Sequence, residues 1–264
     1  MGGTGQRSVR DLRTENHRGP AGQPCLLLFF EGDARPTAAQ LADAVRMSGI
    51  GDAAHDPLRR AQSAAVVDWL ELVIDGLTFD VLGLMPGRAF SIPPPRHRLG
   101  IATERLLEVE TIAIAPGPHV AAAANAMPVV RTMLRIAAVL ARKFESVVAA
   151  HWLPAASLVG RDVFLDIVDG WVAGGVFPAP ILTGIVERPD GALRSDGFAF
   201  FSGQELELEP ALCGDRIAAT RLLMRLLDQL AGHRAFAGEQ EVALAGGGCV
   251  RIVGQGALVR VLPG

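Results

Sequence analysis

Tyrosine is absent from the 264 residues, and aromatic residues of all kinds make up 5% of them. Beside abundant alanine, this is the bias of a GC-rich bacterial genome, and it points to no function. Cysteine is scarce as well: Cys25, Cys213 and Cys249 stand alone, with no Cys-x-x-Cys pair. A zinc ribbon and a redox dithiol each need such a pair, so neither is expected. Three unpaired thiols fit a reducing, cytoplasmic compartment. Long apolar runs are also missing. The longest early one, residues 25–30, is far shorter than the roughly 20 residues that cross a bilayer, so no membrane partner is expected. Residues 1–24 lack the apolar stretch of a signal peptide and read as a disordered tail. Nor is there an excess of basic charge. A net charge of −3 and a pI near 6.1 argue against nucleic acid, whose phosphates call for a basic stripe. Arg96, His97 and Arg98 read as a solvated loop.

The spacings that carry chemistry are missing too. Six histidines (His17, His55, His97, His119, His151 and His233) form no His-x-x-x-His or His-Glu-x-x-His pair, the arrangement that puts two ligands on one helix face. His119 and His151 stand at the ends of expected strands, where they could meet Asp162 or Asp166 as ligands or as a base. The bland alternative is a half-buried histidine satisfied by backbone. No Gly-x-Ser-x-Gly elbow surrounds Ser157, Ser195 or Ser202. Neither Gly246–Gly248 nor the loop at Pro116-Gly117-Pro118 joins a strand to a helix with free N–H groups, so neither cradles phosphate. No cofactor and no metal are expected.

What is present is the composition of a packed globule: half the residues are hydrophobic and a fifth are charged. The length allows one large domain or two small ones. Residues 25–31 read as a buried strand. Thr37 caps a helix that Gly49 stops. Residues 66–74 and 77–84 read as a hairpin around Asp75-Gly76, a dipeptide suited to the two positive φ angles of a type I′ turn. A proline-rich stretch, 86–95, holds a stiff extended path. A short helix near 101–107 and a strand at 109–115 follow. A long amphipathic helix runs from Met127 or Pro128 to about Phe144, then a strand at 147–152.

The second half reads as a helix at 161–174, strands at 181–187, 198–201 and 205–209, a helix from Asp215 to Leu230, and three short strands at 241–245, 250–253 and 258–262. Strand hairpins alternating with single helices imply an α+β fold, with helices on one face of mostly antiparallel sheets. Residues 25–264 are expected to form one domain, with two pseudo-repeated, ferredoxin-like halves at 25–152 and 153–264 as a finer reading of element order.

The stretch Leu84-Met85-Pro86-Gly87 with the prolines at 93–95, and then Gly197-Phe198-Ala199-Phe200-Phe201-Ser202-Gly203-Gln204-Glu205-Leu206-Glu207-Leu208-Glu209-Pro210, resemble an uncharacterised bacterial domain-of-unknown-function family. The resemblance spans residues 25–232. It departs from the family at Ser195-Asp196-Gly197-Phe198, where the usual wording has a threonine and then Gly-Leu. It implies no established activity, so no functional residues carry over.

Two features of that segment suggest binding. Phe198, Phe200 and Phe201 would straddle both faces of a strand, so a single buried face would leave aromatic area for a partner. Glu205, Glu207 and Glu209, spaced two apart, share one face. They would bind a cation or a basic partner, or simply form the solvated face of an edge strand kept charged against aggregation. Trp69, Trp152 and Trp171 read as core. The function expected is a non-enzymatic interaction module, adaptor- or immunity-like, whose partner is another protein or a second copy. The alternative is a metal-dependent or hydrolase-like enzyme built from distant His and Asp residues.

Overall fold

In the computed structural model, which describes residues 23–54, 69–233, 235–244 and 248–264, the first strand is β1 (Leu26–Glu31), with five of six residues buried. It lies in the interior of an eight-stranded sheet. The other elements of this half are α1 (Ala38–Ser48), β2 (Asp52–Ala54), β3 (Trp69–Ile74), β4 (Leu77–Leu82), β5 (His97–Leu99), β6 (Val109–Pro116), α2 (Met127–Lys143), β7 (Val147–Trp152), β8 (Ser157–Gly160) and α3 (Arg161–Val172). The strand order is β2-β3-β4-β6-β1-β7-β8-β5, antiparallel except for the β5–β8 pair. The expected tail up to residue 22, the loop 55–62 with His55, and residues 66–68 of the hairpin lie outside the described residues.

Local signals set several boundaries. Thr37 and Gln40 form a capping box: the Gln40 N–H donates to Thr37 Oγ1 at 3.3 Å and the Thr37 N–H to Gln40 Oε1 at 2.9 Å. Gly49 ends α1 in the left-handed region, φ 71°. Asp75 and Gly76, at φ 53° and 79°, make the I′ turn between β3 and β4.

Alternating side chains give this sheet two apolar faces. Leu26, Leu28 and Phe30 point into the main core, where α1, α2 and α3 pack. Leu27 and Phe29 point the other way, into a smaller cluster with Ala113, Ala149 and Leu158. That second face is covered by Phe90 of the proline-rich connector and by Ile101 and Leu106, which follow β5. The connector leaves β4 and next pairs as β5 on the far edge, five strand spacings away, roughly 24 Å at ~4.8 Å each. A stiff extended chain makes that crossing. The Phe90 N–H donates to the Thr111 carbonyl at 2.9 Å, and Thr111 Oγ1 donates back to the Phe90 carbonyl at 2.6 Å.

The start of the connector is held by a buried arginine. Arg35, 6% exposed, donates to Glu110 Oε2 at 2.6 Å, to the Gly83 carbonyl, and to the Gly87 carbonyl at 3.0 Å. A buried guanidinium is tolerated only when its donors are matched, as they are here.

The second half contains α4 (Ala179–Leu182), β9 (Gly184–Glu187), β10 (Leu193–Asp196), α5 (Ala199–Ser202), β11 (Glu205–Leu208), α6 (Arg216–Leu230), β12 (Gly238–Ala243), β13 (Cys249–Gln255) and β14 (Leu258–Pro263). Its sheet runs β12-β13-β14-β11-β10-β9, with β11 and β14 parallel. Asp215 caps α6, accepting from the N–H groups of Ile217 and Ala218 at 2.9 and 3.1 Å. The α+β expectation is met: two mixed, mostly antiparallel sheets with helices against them. One hydrophobic core joins the halves, running from β1 through Trp152 and Phe198 to Val261. The two sheets differ in strand order, and β8 belongs to the first sheet, so the halves do not divide at residue 152 as repeats of one order.

Three expectations are corrected. Residues 181–182 are helical, and the strand begins only at Gly184. Phe198–Phe201 is not a strand, because Ala199–Ser202 is a helical turn closed by Gly203 at φ 79°. Three aromatics in four residues pack just as well around one helical turn, so their spacing does not distinguish the two. Finally, β11 is an interior strand between β14 and β10, not an edge. Among the described residues no helix is long and apolar enough to cross a membrane.

Replacing Arg35 with Met keeps the volume of the stem but leaves Glu110 and two carbonyls unmatched. It is expected to lower stability by about 2–4 kcal/mol. An unchanged urea midpoint would show that the arginine does not anchor the connector.

Candidate functional site

Four of the five residues singled out from the sequence, Phe198, Phe200, Phe201 and Glu205, meet in the connection between β10 and β11, and Glu207 follows along β11. The Glu205 carboxylate accepts from the N–H groups of Gly197, Phe198 and Ala199 at 2.9, 3.2 and 3.1 Å, and from the Ser195 hydroxyl. These are the unpaired donors at the start of α5, and an anion there satisfies them. Ser195 Oγ also accepts the Leu206 N–H at 2.8 Å, filling a rung of the β10–β11 ladder. Glu207 stands opposite Arg194 on β10 and Arg260 on β14, and Arg260 donates to Glu209 at 2.5 Å. The glutamate row is therefore neither a solvated edge nor an open cation site. Arginines on both flanking strands face it.

The phenylalanines face inward. Phe198 is 1% exposed, and Phe200 and Phe201 are half-buried. Phe201 stacks on Trp152, the last residue of β7, with rings 6.3 Å apart and 9° from parallel, and Phe200 meets the same indole edge-on at 5.4 Å. Phe177 completes the group, edge-on to Phe201 at 5.5 Å. The aromatic area expected to await a partner is met by Trp152 and Phe177 of the same chain. Gly197, at φ 97°, lies so close to Ala155 that a Cβ there would sit 2.5 Å from the Ala155 backbone.

A polar joint lies alongside. His97 Nε2 and Asp196 Oδ2 are 2.8 Å apart, and Arg96 Nη2 donates to Asp196 Oδ1 at 2.8 Å. His97 is on the edge strand β5 of one sheet, and Asp196 ends β10 of the other. The imidazole lies flat on Gly184 of β9, where a Cβ would fall 2.1 Å from the ring. The expected solvated loop at 96–98 is thus a strand and a clasp between sheets. A carboxylate-oriented imidazole is the geometry of a general base. Here the nearby hydroxyls are already engaged: Ser157 Oγ donates to the Pro180 carbonyl at 3.3 Å and Ser195 Oγ to Glu205. Sequence reasoning missed this pair, because 99 residues separate its members and neither stands in a motif.

The alternative constellation is not assembled. His151 is fully buried in the smaller apolar layer, edge-on to Phe29 with ring centres 6.1 Å apart. Asp162, 89% exposed at its side chain, lies on α3, which packs on the opposite, helical face. His119 and Asp166 are exposed, while His17 and His55 fall outside the described residues. Among the described residues no group of three His, Cys, Asp or Glu side chains could hold a metal. The cysteines are free thiols, and burial pushes that of Cys25 up to about 11, which keeps it protonated and inert.

One open edge of the described structure is at the far end of the second sheet. Among the described residues β12 pairs with β13 alone, and all its residues but Val242 are exposed. Beside it is a cleft of about 710 Å³ between the end of α6 and the β12–β13 hairpin, lined by Leu230, His233, Phe236, Gln240, Val242 and Ile252 among others. The inter-sheet segment reaches this cleft through Gln204, whose amide brackets the Phe236 backbone: Oε1 accepts its N–H at 2.6 Å and Nε2 donates to its carbonyl at 3.1 Å.

Two expectations test the joint and the buried imidazole. Gly184→Ala is expected to cost about 1–3 kcal/mol by overpacking, and far less in a His97→Ala background. Equal costs in both backgrounds, measured by urea unfolding, would show that the ring does not rest on Gly184. Burial holds the His151 imidazole down at about 4, opposed by the Ala156 backbone, and neither ring nitrogen has a hydrogen bond of normal geometry. In the unfolded chain it titrates near 6.5, so between pH 6.5 and 4 the unfolded state binds the extra proton. Stability from this group is full above pH 6.5 and is lost as pH falls toward 4, by up to about 3 kcal/mol. His151→Leu should flatten that stretch of the stability–pH curve, and an unchanged slope contradicts the assignment. No family model, curated protein or solved structure matches this chain, so its function rests on its own geometry.

Proposed function

We propose that the chain is a non-enzymatic protein-interaction module that receives another polypeptide along the open edge of β12. The observation that carries this reading is the edge itself: a six-residue strand, exposed along its length, beside a cleft lined with apolar and amide side chains. Unpaired N–H and C=O groups along a sheet edge are a template for an added strand. The engagement of His97, Asp196, Ser195 and Glu205 in bonds that hold the sheets together supports binding over catalysis. It also moves the expected interface from residues 198–209, which pack within the chain, to residues 236–243.

Two finer readings accompany this one. The inner strands of the first sheet run β4-β6-β1-β7, with α1 and α2 crossing between them, which supports reading the N-terminal half as a ferredoxin-like unit widened at both edges. Three free thiols support a reducing, cytoplasmic setting, in keeping with the bacterial family that the sequence resembles.

A photo-crosslinking residue placed at Gln240 tests the reading in cells that make the protein. Covalent adducts with another polypeptide are expected, several-fold above those from the same group at Met47, an exposed apolar position on α1. Equal yields from the two positions, or none from Gln240, would overturn the proposal.

A further inference from the structure

Resting on that reading, we infer the chemistry of the partner segment: an extended strand whose residues alternate between basic and apolar, and not a second copy of this chain. The argument follows from the two faces of β12. Register with β13 pairs Glu239 with Val253, Gln240 with Ile252, Glu241 with Arg251 and Val242 with Val250. Ile252 and Val250 are buried, so Gln240 and Val242 lie on the core-side face, along the cleft with Phe236 and Leu230. Glu239 and Glu241 lie on the outer face, and both are exposed.

A strand added to this edge continues both faces, because successive side chains point to opposite sides. Its core-side residues come to lie over Val242 and the cleft, where apolar groups are desolvated. Its outer residues come to lie beside Glu239 and Glu241. One guanidinium on the neighbouring strand serves those two carboxylates: Arg251 reaches Glu239 at 3.0 Å and stands opposite Glu241. The outer row is left with an excess of negative charge at the edge, which cross-strand Lys or Arg would complement.

The same charges disfavour self-pairing. Two copies joined edge to edge by a two-fold axis perpendicular to the sheet keep outer faces together. Only registers that match faces are then allowed. Centred on Gln240, such a register sets Glu239 opposite Glu241 of the second copy; centred on Glu239 or Glu241, it sets that glutamate opposite itself. Like charges directly opposed destabilise a strand pair. Glutamate on an edge is a device against edge-to-edge association, and here it favours a basic strand and penalises self-pairing in the registers centred from Glu239 to Glu241.

Three synthetic octapeptides serve as probes: alternating Lys and Val, alternating Glu and Val, and the Lys/Val composition with its order scrambled. Binding is read by fluorescence anisotropy on the full chain at low and high salt, and the site by amide hydrogen exchange. The alternating Lys/Val peptide is expected to bind about tenfold more tightly than the Glu/Val peptide, with the preference shrinking as salt rises and with protection of the amides of residues 238–243. E239Q/E241Q, two exposed changes that leave the fold intact, is expected to abolish the preference. Equal affinity for the two charged peptides, or protection elsewhere, overturns the inference, as does a dimer in sedimentation that the same double variant strengthens. Adducts at Gln240 together with equal peptide affinities would leave the interaction reading standing and remove only the charge selectivity. Absence of adducts together with equal peptide affinities would remove both readings.

Discussion

The fold turns on one carboxylate. In the connection between β10 and β11, where the second sheet packs against the end of β7, α5 begins with N–H groups that have no helical partner, and it begins in the interior. Glu205 supplies the acceptors, three main-chain donors and one hydroxyl to a single side chain. Buried donors left unmatched would cost more than the turn could gain from packing. With them matched, Phe198, Phe200 and Phe201 close on Trp152 and Phe177. Without that closure the two sheets would share neither the aromatic cluster nor the core that continues through it.

From this point the constraints run outward in both directions. Toward the first sheet, the aromatic turn rests on the end of β7, and beside it the His97–Asp196 pair joins β5 to β10 over a glycine too close for any side chain. Toward the second sheet, Gln204 holds the backbone of Phe236 and so sets where β12 starts and where the cleft opens. In the joint His97, Asp196, Ser195 and Glu205 find their partners within the chain. The edge that the joint positions has no second neighbouring strand among the described residues.

The helical side of the first sheet is filled in the ordinary way, by amphipathic helices. Its other side is less ordinary, since an extended connector covers it, anchored at the start by Arg35 and at the end by pairing with β8. An extended strap brings less apolar area than a helix, and the layer beneath it is small. Within that layer lies the fully buried imidazole of His151, whose burial disfavours its charged form.

Much of the architecture was legible in the sequence because its signals are short-ranged. The Thr37 cap, Gly49, the Asp75-Gly76 turn, Pro128 in the first turn of α2 and the Asp215 cap each act within four residues, and each lies where it was read. The proline stretch was legible as stiff and extended, though not as the cover of a sheet. Other features depend on what lies alongside. Whether Glu205, Glu207 and Glu209 face water or arginines is decided by β10 and β14, and whether three phenylalanines make a strand or a turn is decided by Trp152 and Phe177. His97 and Asp196 meet only because two sheet edges do. By itself the sequence determined the capped helices, the first hairpin and the α+β class, since caps, turns and alternation are local energies. The tertiary structure alone decided which strands lie at sheet edges, because an edge is defined by the neighbour that a strand lacks.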